Sequence, residues 1–343
     1  MSGKILFFGR LSTPLFNKSD NSSHGGAEVQ LYNLSKQLSL KGKKIVFVLG
    51  GKGPESCGDI DLEYISKHNN LRSMSWNFFR ILDIFKTHKP NYVLFRSALF
   101  ENIFFVLFSY ILGIKTIFMI AHDRQVKFGH HKGFIFDIVN KFLLFFSNIV
   151  VCQNSYQISK LTSFKSKSFL VRSIHIRPNV KENVSKKSII WIGRNVAWKR
   201  LEVVEKLASI FPNINFTVLG VNKASNLDNL SFKGFVKFDE TWQHITNSDF
   251  LINTSVSEGF PNTFIQAWMC SKPVVSLNVN PDNLIDKYRA GFCAKGNIKL
   301  FTSMIYYLSN NRELLSHKQV NCKKLVHDLF EFNTNVSRFE SLL

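Results

Sequence analysis

The stretch "DFLINTSVSEGFPNTFIQAWMCSKPVVSLN", Asp249–Asn278, reads as strand, loop, helix and strand. "DFLINTS" is an apolar run that ends in small polar residues. Glu258 and Gly259 follow in a loop, and Pro261-Asn262 suit the entry of a helix. "TFIQAWMCS" has helical spacing, and Lys272-Pro273 stops it before the apolar Val274-Val275 pair. Apolar strands separated by a helix are the unit of a parallel sheet covered on both faces. A carboxylate beside a flexible turn at the mouth of that helix is a choice that packing alone does not require.

The same alternation runs through the chain. "KILFFG", "KKIVFVLG", "PNYVLFRS", "IKTIFMIAHD" and "NIVVCQNS" read as strands, with helical segments such as "GAEVQLYNLSKQLSLKG" between them. After Pro178 the pattern restarts with "KSIIWIGR", a helix over "KRLEVVEKLASIFP", and "INFTVLG". "DETWQHITNS" is a further helix, and the tail from Asn311 is helical. The expected fold class is α/β, with two doubly wound Rossmann-like domains facing across a cleft and C-terminal helices. Residues 1–176 form the first domain and 177–325 the second, joined near Ile174–Ser185. Residues 326–343 form a helix that crosses back to the first.

A chain of 343 residues fits two domains at roughly 150 residues each. Its five cysteines, Cys57, Cys152, Cys270, Cys293 and Cys322, form no CxxC pair, so neither a zinc site nor a disulfide framework is expected. Reduced thiols suit a cytoplasmic protein. The apolar run in "MSGKILFFGRLSTP" is too short for a signal peptide. The most apolar region, Ala98–Asp123, is interrupted by Glu101 and Lys115 and reads as a buried helix and strand rather than a membrane span. Residues 1–180 hold 24 Lys+Arg against 10 Asp+Glu, and residues 181–343 hold 20 against 14, so most of the net +20 lies in the first half. That field favours an anionic partner. No helix-turn-helix, RNP or zinc-finger pattern points to nucleic acid.

Open α/β sheets bind ligands beyond the carboxyl ends of their strands. Gly25-Gly26 opens a helix after a long polar loop. Two glycines let backbone approach an anion, although they also simply make a turn. Arg194 and Lys199 follow a strand and can meet a diphosphate, arginine as a fork and lysine as a point charge, or can be solvated surface bases. Glu258 can accept from sugar hydroxyls or cap the helix. His122, at a strand end beside Asp123, can orient a sugar or move a proton, or be structural.

"GGAE" at Gly25–Glu28, "GR" with a lysine five positions after Arg194, and "EGFPN" at Glu258–Asn262 before a helix and "KPVV" together resemble the family 4 glycosyltransferases. The likeness covers nearly the whole chain in order. It implies a retaining, nucleotide-sugar-dependent enzyme of the GT-B fold that needs no metal and no cofactor beyond its UDP- or GDP-linked donor. By that resemblance Gly25 and Gly26 approach the donor, His122 contacts its sugar, and Arg194 and Lys199 hold the diphosphate. Glu258 holds sugar hydroxyls, supported by the backbone of Gly259, Phe260, Pro261, Asn262 and Thr263. The family pattern has a second glutamate where this chain has Gln266. An amide still hydrogen-bonds a ribose but without the charge. Base readout is expected near "VLGVNKASN" and "FKGFVKFDE". The acceptor is expected to be a glycan or lipid-linked saccharide of a surface polysaccharide. The segment Lys127–Asn148 reads as an interfacial helix at an anionic membrane face or as a cover for the sheet. The alternatives are a sugar-nucleotide epimerase on the same fold, which would need further cleft carboxylates, and a non-catalytic basic membrane-docking protein.

Overall fold

The structure, a computed structural model, describes residues 3–17, 25–67, 71–96, 99–127, 134–181 and 187–343. The chain divides into two compact units, Met1–Ile174 with Phe332–Leu343, and His175–Glu331. The return to the first unit starts at Phe332 rather than at residue 326. Residues 326–329 still belong to the helix Arg312–Leu329, whose Leu325 and Val326 pack in the core of the second unit.

The first unit is built on one sheet of β1 (Ile5–Phe8), β2 (Ile45–Gly50), β3 (Ser56–Cys57), β4 (Ile60–Ile65), β5 (Tyr92–Arg96), β6 (Lys115–Met119), β7 (Ile149–Cys152) and β8 (Ser168–Leu170). Their order is β3-β4-β2-β1-β5-β6-β7-β8, parallel except for the β3–β4 pair. Side chains alternate between two cores, as the period of a strand requires. Leu6, Phe8, Val93, Phe95, Phe118 and Val150 face the helices Leu71–His88, Asn102–Ile111 and Phe134–Phe146. Ile5, Phe7, Leu94, Ile117 and Val151 face the helices Gly26–Leu40 and Phe332–Glu340. Because both faces are covered, the inner strands are apolar except at a few positions near their ends, Arg96 of β5 and Lys115 and Thr116 of β6. Each fully buried Phe contributes about 1.5–3 kcal/mol relative to exposure.

The second unit repeats the plan with β9 (Ser188–Ile192), β10 (Asn215–Leu219), β11 (Leu230–Phe232), β12 (Phe250–Asn253), β13 (Val274–Ser276) and β14 (Gly291–Cys293). The order is β11-β10-β9-β12-β13-β14, all parallel. Ile189, Trp191, Phe250 and Ile252 point to one core, Ile190 and Leu251 to the other. The chain winds outward from β9 to β11, then returns beside β9 as β12. The carboxyl ends of β9 and β12 therefore diverge in their connections, which opens a crevice at that switch point. In the first unit β1 and β5 play the same part.

One glycine beside the second switch point is fixed by space. Gly220, just after β10, has φ +89°, and a Cβ there would lie 2.5 Å from the Gly193 carbonyl oxygen. Gly193 cannot retreat freely, because its N–H donates to the Leu219 carbonyl at 3.0 Å. Gly220→Ala is expected to lower stability by about 1–3 kcal/mol through left-handed strain and this clash. Thermal unfolding of the variant checks it, and an unchanged Tm would refute it.

Candidate functional site

In the second unit the predicted residues gather at the carboxyl ends of β9 and β12, which pair as Phe250↔Ile189 and Leu251↔Ile190. After β9 the chain makes a 3₁₀ turn, Ala197–Lys199, and the next helix starts only at Leu201. Lys199 thus lies in this turn rather than on the helix expected from "KRLEVVEKL". Arg200, at φ 53° in the left-handed region, separates the two.

Hydrogen bonds tie this turn to the loop after β12. The Trp191 indole donates to Thr254 Oγ1 at 2.9 Å, and that hydroxyl donates to the Lys199 carbonyl at 2.5 Å. The Val256 N–H donates to the Trp198 carbonyl at 2.8 Å. Held in this way, Lys199 Nζ forms an ion pair with Glu258 Oε1, and the Ser255 hydroxyl donates to the same oxygen at 2.8 Å. The Lys199 and Glu258 side chains are 20% and 14% exposed, so the pair is mostly desolvated yet reachable. Glu258 Oε2 accepts no hydrogen bond from the described residues. The Arg194 side chain is exposed and makes no hydrogen bond or ion pair among the described residues.

Phe260 and Pro261 are buried. Phe260 sits edge-on to Phe330, 5.7 Å between centroids, so this part of the loop is anchored by packing and has backbone to offer. The helix Asn262–Met269 follows, and no side chain caps its start. Its first N–H groups carry partial positive charge toward the loop that holds Glu258. Gln266 is buried on this helix, and its amide makes no hydrogen bond among the described residues.

In the first unit Gly25 is the N-cap of Gly26–Leu40. Its N–H donates to Glu28 Oε2 at 2.9 Å. The Gly-Gly turn is thus closed locally by the acid two positions beyond it; the polar residues 18–24 lie outside the described residues. His122 follows β6 and caps a 3₁₀ turn, its Nδ1 accepting the Arg124 N–H at 3.1 Å. A neutral ring held so carries its proton on Nε2, which is a donor to whatever lies in front of it. Asp123 does not serve as a local acid for that ring in this arrangement. Its Oδ1 accepts from Asn154 Nδ2 at 3.0 Å and Gln157 Nε2 at 2.9 Å, at the end of β7.

Sequence reasoning missed Arg96, the last residue of β5. It is 6% exposed, and burial lowers its pKa to about 10, opposed by the charge of Glu28. Turning the Gln153 amide brings its oxygen to the guanidinium as acceptor. A cation closing an otherwise apolar strand was the available signal. Arg10, in the turn after β1, and Glu101, at the start of the helix Asn102–Ile111, form a further buried ion pair that was also missed. Burial raises the pKa of the Cys152 and Cys270 thiols, which makes them poor nucleophiles. Among the described residues no cluster of three His, Cys, Asp or Glu could hold a metal ion.

Residues 186–311 match the model of the family described as "Glycosyl transferases group 1". That span contains Arg194, Lys199, Glu258 and Gln266. No curated protein matches the sequence. Among solved structures, Anabaena HepE, in complex with UDP and glucose, is 14% identical with a TM-score of 0.79, over 99% of this chain and 98% of that one. Sucrose-phosphate synthase from Thermosynechococcus elongatus is 12% identical with a TM-score of 0.80, over 99% and 98%. WaaG, a glycosyltransferase involved in lipopolysaccharide biosynthesis, is 11% identical with a TM-score of 0.68, over 98% and 99%. The chain has the GT-B fold. In this GT-B chain the ion-paired Lys199 and Glu258 and the exposed Arg194 stand at the switch point of the unit that matches the family model.

Proposed function

We propose that this protein is a retaining glycosyltransferase of the family 4 kind, moving a sugar from a nucleoside diphosphate to a hydroxyl of a glycan or lipid-linked acceptor. The observation that carries the reading is the arrangement of Arg194, Lys199 and Glu258 on two adjacent strand ends. Donor binding replaces the internal ion pair. Lys199 turns to the diphosphate beside Arg194, and Glu258 is released to accept from sugar hydroxyls. The start of the helix Asn262–Met269 adds N–H donors. Gly25 and Gly26, and His122 through Nε2, serve the donor from the first unit. Gln266 serves the ribose as a neutral partner.

The reaction breaks the bond between the anomeric carbon and the diphosphate oxygen, and the electron pair stays on that oxygen. Arg194 and Lys199 stabilise the charge that develops there. The acceptor hydroxyl bonds to the anomeric carbon on the face just vacated, and its proton passes to the leaving phosphate oxygen. The configuration is retained. Two side-chain cations do the neutralising that a divalent ion would otherwise do.

The neighbouring structures favour UDP-linked sugars as the first donors to try, since HepE was solved with UDP and glucose. WaaG, by its description, is involved in lipopolysaccharide biosynthesis, which favours a polysaccharide or lipid-linked saccharide as the acceptor to try. The test is a screen of labelled UDP- and GDP-sugars with membrane extract as acceptor source. Transfer with retained anomeric configuration is expected. Full activity in EDTA is also expected. Activity abolished by EDTA and restored by magnesium would refute the metal-free reading.

A further inference from the structure

The three helices that cover one face of the first sheet form a layer whose outer side is unlike that of an ordinary surface helix. Asn102–Ile111 has no charged residue, and Phe134–Phe146 has only Asp137 and Lys141. An outer helix of a globular protein normally turns a polar face to water. Here Trp76 is 61% exposed, Phe79 66%, Tyr110 73%, Ile111 74% and Phe145 66%. Ring contacts run from one helix to the next. Phe78 stacks edge-on against both Phe79 and Phe104, which links the first helix to the second. The Tyr110 and Phe146 rings are 6.1 Å apart, which links the second to the third.

Exposed cations border this face. Lys86 and Lys89 stand at the end of Leu71–His88, and Lys115 follows Asn102–Ile111. Lys141 is exposed on Phe134–Phe146. The acid on the first helix, Asp83, is already paired with Arg80. Among the described residues no helix is long and apolar enough to cross a membrane.

We propose that this three-helix face docks on the interface of an anionic lipid membrane, with the aromatic side chains among the acyl chains and the lysines against the headgroups. Charge decides the occupant. A second copy packed on the same face would bring the same lysines together, whereas anionic lipid attracts them. Aromatic side chains with a polar edge favour the membrane–water boundary. The placement is independent of the transfer chemistry, and it takes in Phe134–Phe146, the helix within the segment Lys127–Asn148. Residues 128–133, including Lys132, lie outside the described residues.

Trp76 is the first unit's tryptophan, while Trp191, Trp198, Trp242 and Trp268 belong to the second. The experiment mixes the full chain with phosphatidylglycerol-rich vesicles whose acyl chains are brominated, without any nucleotide sugar. Quenching of tryptophan emission is expected, and it should vanish in Trp76→Phe. Binding should weaken as salt rises. It should fall about fivefold for each of Lys86, Lys89 and Lys115 changed to Ala, and at least about tenfold in the triple variant Tyr110→Ser, Ile111→Ser, Phe145→Ser. Sedimentation of the unmodified chain should show a monomer. Vesicle binding without quenching of Trp76, no binding at low salt, or a dimer that the triple variant dissociates would each overturn the proposal. The quenching measurement uses the unmodified chain, so it stands even if the triple variant misfolds.

Discussion

Lys199→Ala and Arg194→Ala should each lower kcat by about 10²–10³-fold, the loss of about 2.7–4 kcal/mol seen when one preorganised donor to a developing negative charge is removed. The two residues differ in their starting state. Arg194 is exposed and makes no hydrogen bond or ion pair among the described residues, so its removal disturbs little besides the donor. Lys199 is paired, and its loss leaves the mostly buried Glu258 without its cation. The Lys199 variant should therefore also unfold at a lower temperature, while the Arg194 variant should keep its Tm. Arg194→Lys should recover part of the rate, since a point charge replaces a fork. Steady-state kinetics with the donor that the screen identifies, run beside thermal unfolding, checks all of this. A loss below about threefold in kcat for both alanine variants would remove the diphosphate role.

Glu258→Ala should cost far more in kcat/KM than Gln266→Ala. Hydrogen bonds to a charged group are worth about 1.5–3 kcal/mol and neutral ones about 0.5–1.5. Glu258 has one oxygen free of hydrogen bonds among the described residues and a second held by groups that a ligand can replace. Gln266 offers only a buried amide, with no hydrogen-bond partner among the described residues. Its truncation should appear mainly in KM, through the ribose, and in stability, through the cavity left on a packed helix. Equal losses in kcat/KM would erase the distinction between a sugar contact and a ribose contact. The reverse order would exchange their roles.

The inner strands were legible in the sequence because burial on both faces leaves a continuous apolar run. "KILFF", "IVFVL" and "YVLF" have no competing reading. The outer strands were not. β4 mixes buried, half-buried and exposed positions over "IDLEYI", and β3, β8, β11 and β14 are two or three residues long. A strand near the sheet edge, like β4 with only the two-residue β3 beyond it, need not be apolar throughout, and two residues carry no period. At the site, motif spacing pointed to Lys199 and Glu258 individually. Their ion pair could not be read, because it depends on β12 returning beside β9 across the intervening residues. The closure of the Gly25 turn by Glu28 was within reach of the sequence, since the acid stands three positions after the N-cap. Arg96 was overlooked because it ends a strand whose other residues read as plain core.

The Lys199–Glu258 ion pair also bears on what happens after the sugar has left. In the proposed reaction a nucleotide-sugar engages both members, the diphosphate taking the lysine and the hydroxyls taking the carboxylate. The spent nucleoside diphosphate can take only the lysine. It would strand the carboxylate, which is mostly desolvated, with Ser255 as its remaining partner. Re-forming the internal pair therefore competes against product more effectively than against donor. The lysine thus serves as a displaceable counterion for the carboxylate, and in the proposed reaction that internal contact holds product inhibition down.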